Sequence, residues 1–422
     1  MAPEPERAAG RRGPIVAYFL ANALFAAGLY AHAFLYNFYL DALGLGEGAM
    51  GVAAAALTAG GLVALIPAGL LTDRFGAAAT FLLGAAAGAS GLAVGGLVET
   101  AAAIYAAAAL AGAGTAAWRV AMGPLLLRLA PGPLRSRVFS WNVALLVGAG
   151  AAWTAAAGAI PGWIERTTGL GGASAIRGAL LAGAGLTALS VVAFLPAARA
   201  LGAAGPVRTT ASRVSLSALR IPPVLAAGVL AVFVWMVAGG LVIPFFNLYF
   251  SRIHDLPVAR IGGLFALAQA LTALALVASG EAAGRLGARR VLAAWTLLFA
   301  PVLWLLPLAD ALPLALALFF LQGLVPPATN PLIDQVLLER APPGRQGAVS
   351  SWRNAATETS GLIGAALGGR LLEVASFAVL FGVAGVVAAV GSLGLVVWLR
   401  RQSGQMPSLP DARSEARRRT IR

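Results

Sequence analysis

The chain reads as an all-α membrane protein, with twelve transmembrane helices forming two pseudo-symmetric six-helix bundles. Three observations predict this. Of its 422 residues, 59% are hydrophobic and only 11% charged, with a mean hydropathy of +0.85. Apolar runs of about 20 residues, long enough to cross a bilayer as a helix, recur along the whole length. The second half also repeats features of the first at an almost constant spacing. A β-barrel is excluded by pattern, because spanning strands alternate apolar and polar residues, whereas Val379 to Leu399 is apolar almost throughout.

The polar leader, residues 1–13, runs into a first span over 14–40. A cleaved secretory signal has a shorter apolar core, ending in a small-residue cleavage site, so this stretch is read as a retained helix. Five further spans are expected over 49–72, 78–98, 102–128, 137–160 and 176–198. The polar segment 199–222, with four arginines among Gly, Pro, Ser and Thr, then divides the chain. Six more spans follow over 223–250, 258–282, 289–308, 311–339, 347–370 and 375–399. Spans one, four, seven and ten are long enough to tilt or kink. The expected organisation is an N-terminal bundle over 14–198, a linker over 199–222, a C-terminal bundle over 223–400 and a disordered, arginine-rich tail over 401–422.

All 30 basic residues are arginine. If the N-terminus is cytoplasmic, 23 of the 30 fall in the N-terminus, the linker, the tail and the loops of one side. Residues 1–13, the linker and the tail are therefore expected in the cytoplasm, and the protein in the cytoplasmic membrane of a bacterium. The net charge of +14 is explained by this placement and does not point to nucleic acid. With no lysine there can be no G-x-x-x-x-G-K-[ST] phosphate loop. Two histidines and no cysteine argue against a metal hydrolase, while a carboxylate-based membrane enzyme stays open. No cofactor is expected.

The repeat is specific where its residues are uncommon. APGPLRSRVFSW (130–141) and APPGRQGAVSSW (341–352) align 211 positions apart, matching Pro131 with Pro342, Ser140 with Ser351 and Trp141 with Trp352. The same spacing pairs Gly51 with Gly262, Gly112 with Gly323, Gly150 with Gly361 and Gly158 with Gly369. YNFYL (36–40) meets FNLYF (246–250) at 210, pairing Asn37 with Asn247 and Tyr39 with Tyr249. Two bundles of six spans in the same orientation imply an axis along the membrane normal.

One loop carries a motif. GLLTDRFG (69–76) has the spacing G-x-L-x-D-R-x-G through Gly69, Leu71, Asp73, Arg74 and Gly76. After span eight, GEAAGRLGARR (280–290) keeps Gly280, Arg285 and Gly287 in the same frame, followed by Arg289 and Arg290. With its paired loops, twelve spans and central linker, the chain resembles the major facilitator superfamily of secondary transporters over roughly residues 14–400. The first copy departs from the family pattern in having Ala77 and Ala78 where basic residues are usual, and the second has Gly284 in place of the acid. The resemblance implies alternating access, with substrate bound between the halves near mid-membrane. It also implies that Asp73 meets the start of span eleven near Gly347 and Arg353, joining the halves in one state only. Span four lacks the arginine of many drug–proton antiporters, since Ala108 stands at that position.

All six asparagines fall within expected spans, although Asn favours turns in soluble proteins. By the resemblance, spans one, four, seven and ten line the cavity. Its candidate residues are Asn22, His32, Tyr36, Asn37, Arg119, Asn247, Asn330 and Asp334, with Asn142 on span five. Interhelical hydrogen bonding is the other use such residues find. A charge at mid-helix costs roughly 2.5–3.5 kcal/mol on insertion scales, so it needs a partner or a role. Arg119 can pair with Asp334 or Glu358 across the halves as an inner gate, and Glu358 is the candidate proton-coupling group.

The expected function is therefore secondary active transport of a small organic solute, coupled to protons, by a monomer embedded in lipid. Efflux is favoured over uptake from family frequency alone. A facilitative uniporter and a non-transporting receptor or scaffold are the alternatives. A cavity with Asn and Tyr but few charges suits a neutral, amphipathic or weakly ionised molecule.

Overall fold

The computed structural model describes residues 4–130, 135–203, 221–342 and 345–401. Most of the linker, 204–220, and the tail from 402 lie outside the described residues, as do the expectations placed on them. Within the described residues the chain is helical, with no strand. The helices are α1 (Glu4–Ala42), α2 (Glu47–Phe75), α3 (Ala77–Leu97), α4 (Ala101–Leu129), α5 (Arg135–Thr168), α6 (Ala173–Ala203) and α7 (Pro223–Val242). They continue as α8 (Phe246–Ile253), α9 (Val258–Leu286), α10 (Ala288–Leu305), α11 (Leu312–Leu338), α12 (Gln346–Val374) and α13 (Phe377–Arg401).

Among the described residues eleven segments are long and apolar enough to cross a membrane, with α7 and α8 together making one of them. The remaining expected span, the eleventh in chain order and here α12, falls short by composition, since it carries Arg353, Asn354, Glu358 and Arg370. It is nonetheless 29 residues long and packs against α2 on one side and α7 on the other. Its polar residues thus sit in a helix held between two others rather than facing lipid all round.

The helices overrun several expected boundaries: α1 begins at Glu4 and not at 14, and α6 runs to Ala203, past the expected start of the linker. Helix α5 continues past residue 160 to Thr168, through Pro161. Proline is tolerated inside spanning helices because neighbouring groups re-satisfy the freed backbone. Span seven, expected over 223–250 and long enough to kink, is broken by a 3-10 turn over Ile243–Phe245. Pro244 is the cause: it has no N–H for the α-ladder, and its ring crowds the preceding turn.

Successive spans alternate direction, so the start of α1 and the end of α13 share one face, here the termini face. Arg128 Nη2 donates to Leu201 O at 3.1 Å, holding together the ends of α4 and α6 on that face. Trp398 Nε1 donates to Val224 O at 2.6 Å and does the same for α13 and α7.

The distribution of the core sets the shape. Near the termini face each half has its own buried cluster. One is built on Tyr18, Phe25, Phe81, Trp118 and Phe194, the other on Leu225, Val232, Ile333, Leu395 and Trp398. Toward the far face a single cluster runs through both halves, joining Phe34, Leu35 and Tyr39 to Phe246, Phe250 and Phe319. The halves are fused at the far face and separate at the other.

Glycine permits this fusion. A Cβ added to Gly369 on α12 would lie 2.7 Å from Gly51 Cα and 2.4 Å from Glu47 O on α2. A Cβ on Gly158 of α5 would lie 3.1 Å from Gly262 Cα and 2.9 Å from Val258 O on α9. These are the glycines matched by the repeat, and they touch crosswise: 51 with 369, 158 with 262. Two equivalent seams therefore close the far face.

A Gly369→Val substitution should open that seam. Overpacking costs about 1–3 kcal/mol, a shift of about 5–150-fold in a two-state equilibrium. A cysteine placed at Ala53, 2% exposed here, should then react faster by a factor in that range with an impermeant maleimide applied from the far face. An unchanged rate would mean that the glycine contact does not hold the seam.

Candidate functional site

The break in span seven exposes a carbonyl, and α1 uses it. Asn37 Nδ2 donates to Pro244 O at 2.5 Å and to Asn247 Oδ1 at 3.3 Å. In return Asn247 Nδ2 donates to Phe34 O at 3.0 Å, while its Oδ1 accepts from Leu248 N at 2.9 Å. Phe34 and Pro244 are 210 positions apart, as Asn37 and Asn247 are. The two amide-to-carbonyl bonds are thus one bond made twice across the pseudo-twofold. Both asparagines are buried, and in this conformation their amides are occupied by the opposing helix rather than turned to open space.

Nearby bonds repeat the symmetry. Tyr39 Oη donates to Gly96 O at 3.0 Å, and Tyr249 Oη to Leu306 O at 3.2 Å, each within its own half. At the far surface Arg252 pairs with Asp41 Oδ1 at 2.6 Å and also with Glu47, so one C-terminal-half cation holds two N-terminal-half carboxylates. His254, just beyond α8, lies 3.2 Å from Tyr249 Oη. Burial holds its ring below the ordinary imidazole range, against the opposing pull of Asp255 and Asp310.

On the open side, among the described residues, one ion pair crosses between the halves. Arg119 Nη2 on α4 lies 3.1 Å from Glu358 Oε1 on α12, with the side chains 44% and 26% exposed. Of the two partners the sequence allows Arg119, the structure brings it to Glu358. Asp334 is taken instead by Arg353, whose Nε lies 3.0 Å from Asp334 Oδ1 without hydrogen-bond alignment. Arg353 Nη2 also donates to Asn330 Oδ1 at 2.9 Å, and Nη1 to Asn354 Oδ1 at 3.1 Å. Arg353, Asn330 and Asp334 thus form a network inside the C-terminal half, next to the pair that bridges the gap.

Asn22 and Asn142 are likewise internal, but to the N-terminal half. Asn22 Nδ2 donates to Asn142 Oδ1 at 2.6 Å, and Trp118 Nε1 donates to Asn22 Oδ1 at 2.6 Å. Asn22 has no exposed surface. His32 and Tyr36 lie on the same buried side of α1, ring centroids 4.1 Å apart, with neither imidazole nitrogen and not the phenol hydroxyl hydrogen-bonded.

The two motif loops share one turn. Gly76 has φ +87 and Gly287 φ +89, a region L side chains avoid, and each caps its helix by donating its N–H four residues back. Gly69 and Gly280 have no neighbour where a Cβ would stand. Arg74 lies over the Phe75 ring at 5.2 Å, and Arg285 and Arg290 are exposed, as is Asp73. The contact of Asp73 with the start of α12 near Gly347 and Arg353 is not made in this conformation, where the termini-face ends of the halves stand apart and Arg353 is engaged elsewhere. Arg289 has a partner of its own.

Sequence reasoning did not single out Arg252 or the bond from Gln269 Nε2 to Thr154 Oγ1 at 3.0 Å across the α5–α9 seam. Neither residue belongs to a repeated identity, so no signal marked them. Among the described residues no group of three or more His, Asp or Glu could hold a metal ion.

Comparison with known proteins agrees with this architecture. The family profile described as Major Facilitator Superfamily matches residues 18–280 and again 229–421. No curated protein matches in sequence. Among solved structures, a point mutant of the nucleoside transporter NupG superposes with a TM-score of 0.71 at 14% identity, over 92% of this chain and 99% of that one. A bacterial homologue of the iron transporter ferroportin in the inward-facing state gives 0.70 at 14%, over 92% and 98%. A bacterial homologue of the human lysosomal transporter Spinster, inward-facing and unoccupied, gives 0.67 at 12%, over 94% and 96%.

The reciprocal clasp is measurable. In a double-mutant cycle of Asn37→Ala and Asn247→Ala on detergent-solubilised protein, the coupling energy should be about 0.6 kcal/mol, and no more than about 1.7 kcal/mol, the range for interhelical hydrogen bonds in membranes. Additive effects of the two substitutions would show that the amides do not work as a pair.

Proposed function

Since the chain belongs to the major facilitator superfamily, a family of membrane transporters, we propose that it carries a small organic solute by alternating access driven by protons. The arginine distribution supports a topology with both termini in the cytoplasm and bundles over 14–198 and 223–400 joined by a cytoplasmic linker. The conformation described here is then the inward-open one, closed at the outer face by the Asn37–Asn247 clasp and the two glycine seams.

The observation that carries the coupling is the Arg119–Glu358 pair. It is the one ion pair bridging the halves on the open side among the described residues. Its carboxylate is partly exposed to the gap and reachable by a proton from the cytoplasm. Ionised Glu358 holds Arg119 across the gap. Protonation neutralises it, frees Arg119 and removes the electrostatic link between α4 and α12. Asp73 supplies the complementary control: exposed now, it meets the N-terminal end of α12 when the cytoplasmic ends close, where the helix dipole favours an anion. Each opposing state thus has its own latch.

Glu358→Gln keeps the shape and removes the proton site. In proteoliposomes the variant should still exchange solute across the membrane, while solute-driven pH change inside the vesicles falls to the level of empty liposomes. Proton movement equal to that of the unmodified protein would overturn the coupling role of Glu358.

A further inference from the structure

The two seams between the halves are equivalent by the repeat and unequal in what fills them. On the α5–α9 seam Gln269 bonds Thr154, Phe265 packs against Phe34 and Phe319 at 5.6 and 5.2 Å between centroids, and Tyr30 closes the space over Gly150. A Cβ added to Gly150 would lie 2.7 Å from Gln269 Oε1 and 2.8 Å from Tyr30 Cε2, so this seam is full. The corresponding positions on the α2–α12 seam are smaller. Thr58 stands for Gln269, Ala54 for Phe265, Ala365 for Thr154 and Gly240 for Tyr30. Gly361, equivalent to Gly150, has nothing within 4 Å of where its Cβ would stand. A cleft of about 280 Å³ results, lined by these residues together with Trp235, Thr357 and Ser360.

Resting on the transporter reading above, we propose that this off-axis cleft is the solute site and that it takes a small, uncharged, amphipathic molecule. The volume lies at the lower edge of the roughly 300–1,000 Å³ typical of ligand pockets. No charged side chain lines the cleft, so an ionised ligand would be desolvated there without a partner. The polar groups present define the complement. Thr58 donates to Ala54 O, Thr357 to Arg353 O and Ser360 to Thr357 O, so their hydroxyl protons are committed and their oxygens remain as acceptors. Trp235, 1% exposed, carries an Nε1–H with no acceptor. A buried indole N–H without a partner is uncommon, but this nitrogen is itself closed to the cleft, so Trp235 contributes ring surface to the wall and no donor. The ring of Phe299, 5.3 Å from that of Trp235, adds an apolar wall. Glu358 directly follows Thr357 on α12, which puts the proton-coupling carboxylate one residue from the wall of the site.

The chain has no cysteine, so single-cysteine variants test this directly. Thr58→Cys and Thr154→Cys, both in proteoliposomes, are labelled with N-ethylmaleimide, a small uncharged reagent. Thr58→Cys should react about tenfold faster or more. Benzyl alcohol should slow its reaction, whereas benzoate and benzylammonium, the same ring with opposite charges, should not. Adding Ala54→Phe, the residue found on the filled seam, should abolish both rapid labelling and protection. If that variant folds poorly by thermal unfolding, Ala54→Leu serves the same purpose. Equal labelling at positions 58 and 154, or equal protection by all three competitors, overturns the proposal. Labelling needs no transport, so the two readings fail separately. Solute flux without charge-selective protection sinks the site alone, whereas protection in a protein that moves no solute sinks the transporter reading alone.

Discussion

Two carboxamides decide where the halves of this molecule join. In a bilayer an unsatisfied amide costs several kcal/mol, so Asn37 and Asn247 cannot be left facing hydrocarbon. Each finds the backbone carbonyl three residues before the other, Pro244 O and Phe34 O. The apolar core then follows the clasp: it is continuous from Phe34 to Phe319 at that level and splits into two clusters beyond it. Glycine seams and the Arg252 clamp add area and charge to a junction whose register the amides set.

Electrostatics divides along the same line. At the far surface Arg252 satisfies Asp41 and Glu47, and the exposure of these groups limits what the pairs contribute. Within the gap, Arg119 and Glu358 face each other from α4 and α12. Neither has a partner within its own half among the described residues, so each depends on the other half. That dependence distinguishes the pair from Arg353, whose partners Asn330, Asp334 and Asn354 all belong to the same bundle.

Much of this was legible in the sequence. Composition and span length gave the helical membrane architecture, and the matched Asn, Tyr and Gly residues gave the pseudo-twofold. A repeat states which residues are equivalent, however, and not which touch. Gly51 aligns with Gly262 but meets Gly369, and only the three-dimensional arrangement of α2 and α12 reveals the crossing. Span seven was long enough to kink, but the place of its break at Pro244 was not marked, because proline inside an apolar run often leaves a membrane helix intact, as Pro161 does in α5. Asn22 and Asn142 show the limit of reading polar residues as cavity markers. A buried amide can be satisfied as well by a neighbouring helix as by a ligand, and the sequence does not distinguish the two.

The broken seventh span has a mechanical meaning. Helix α1 runs unbroken through Asn37, whereas its counterpart changes from α to 3-10 winding immediately before Asn247. A continuous helix transmits tilt along its whole length, while a local change of winding absorbs it. The clasp therefore couples a stiff rod to a jointed one. Bending strain applied to the pair is taken up at residues 243–245, so a bundle assembled from two halves of equivalent topology deforms unequally, its compliance concentrated in one of them.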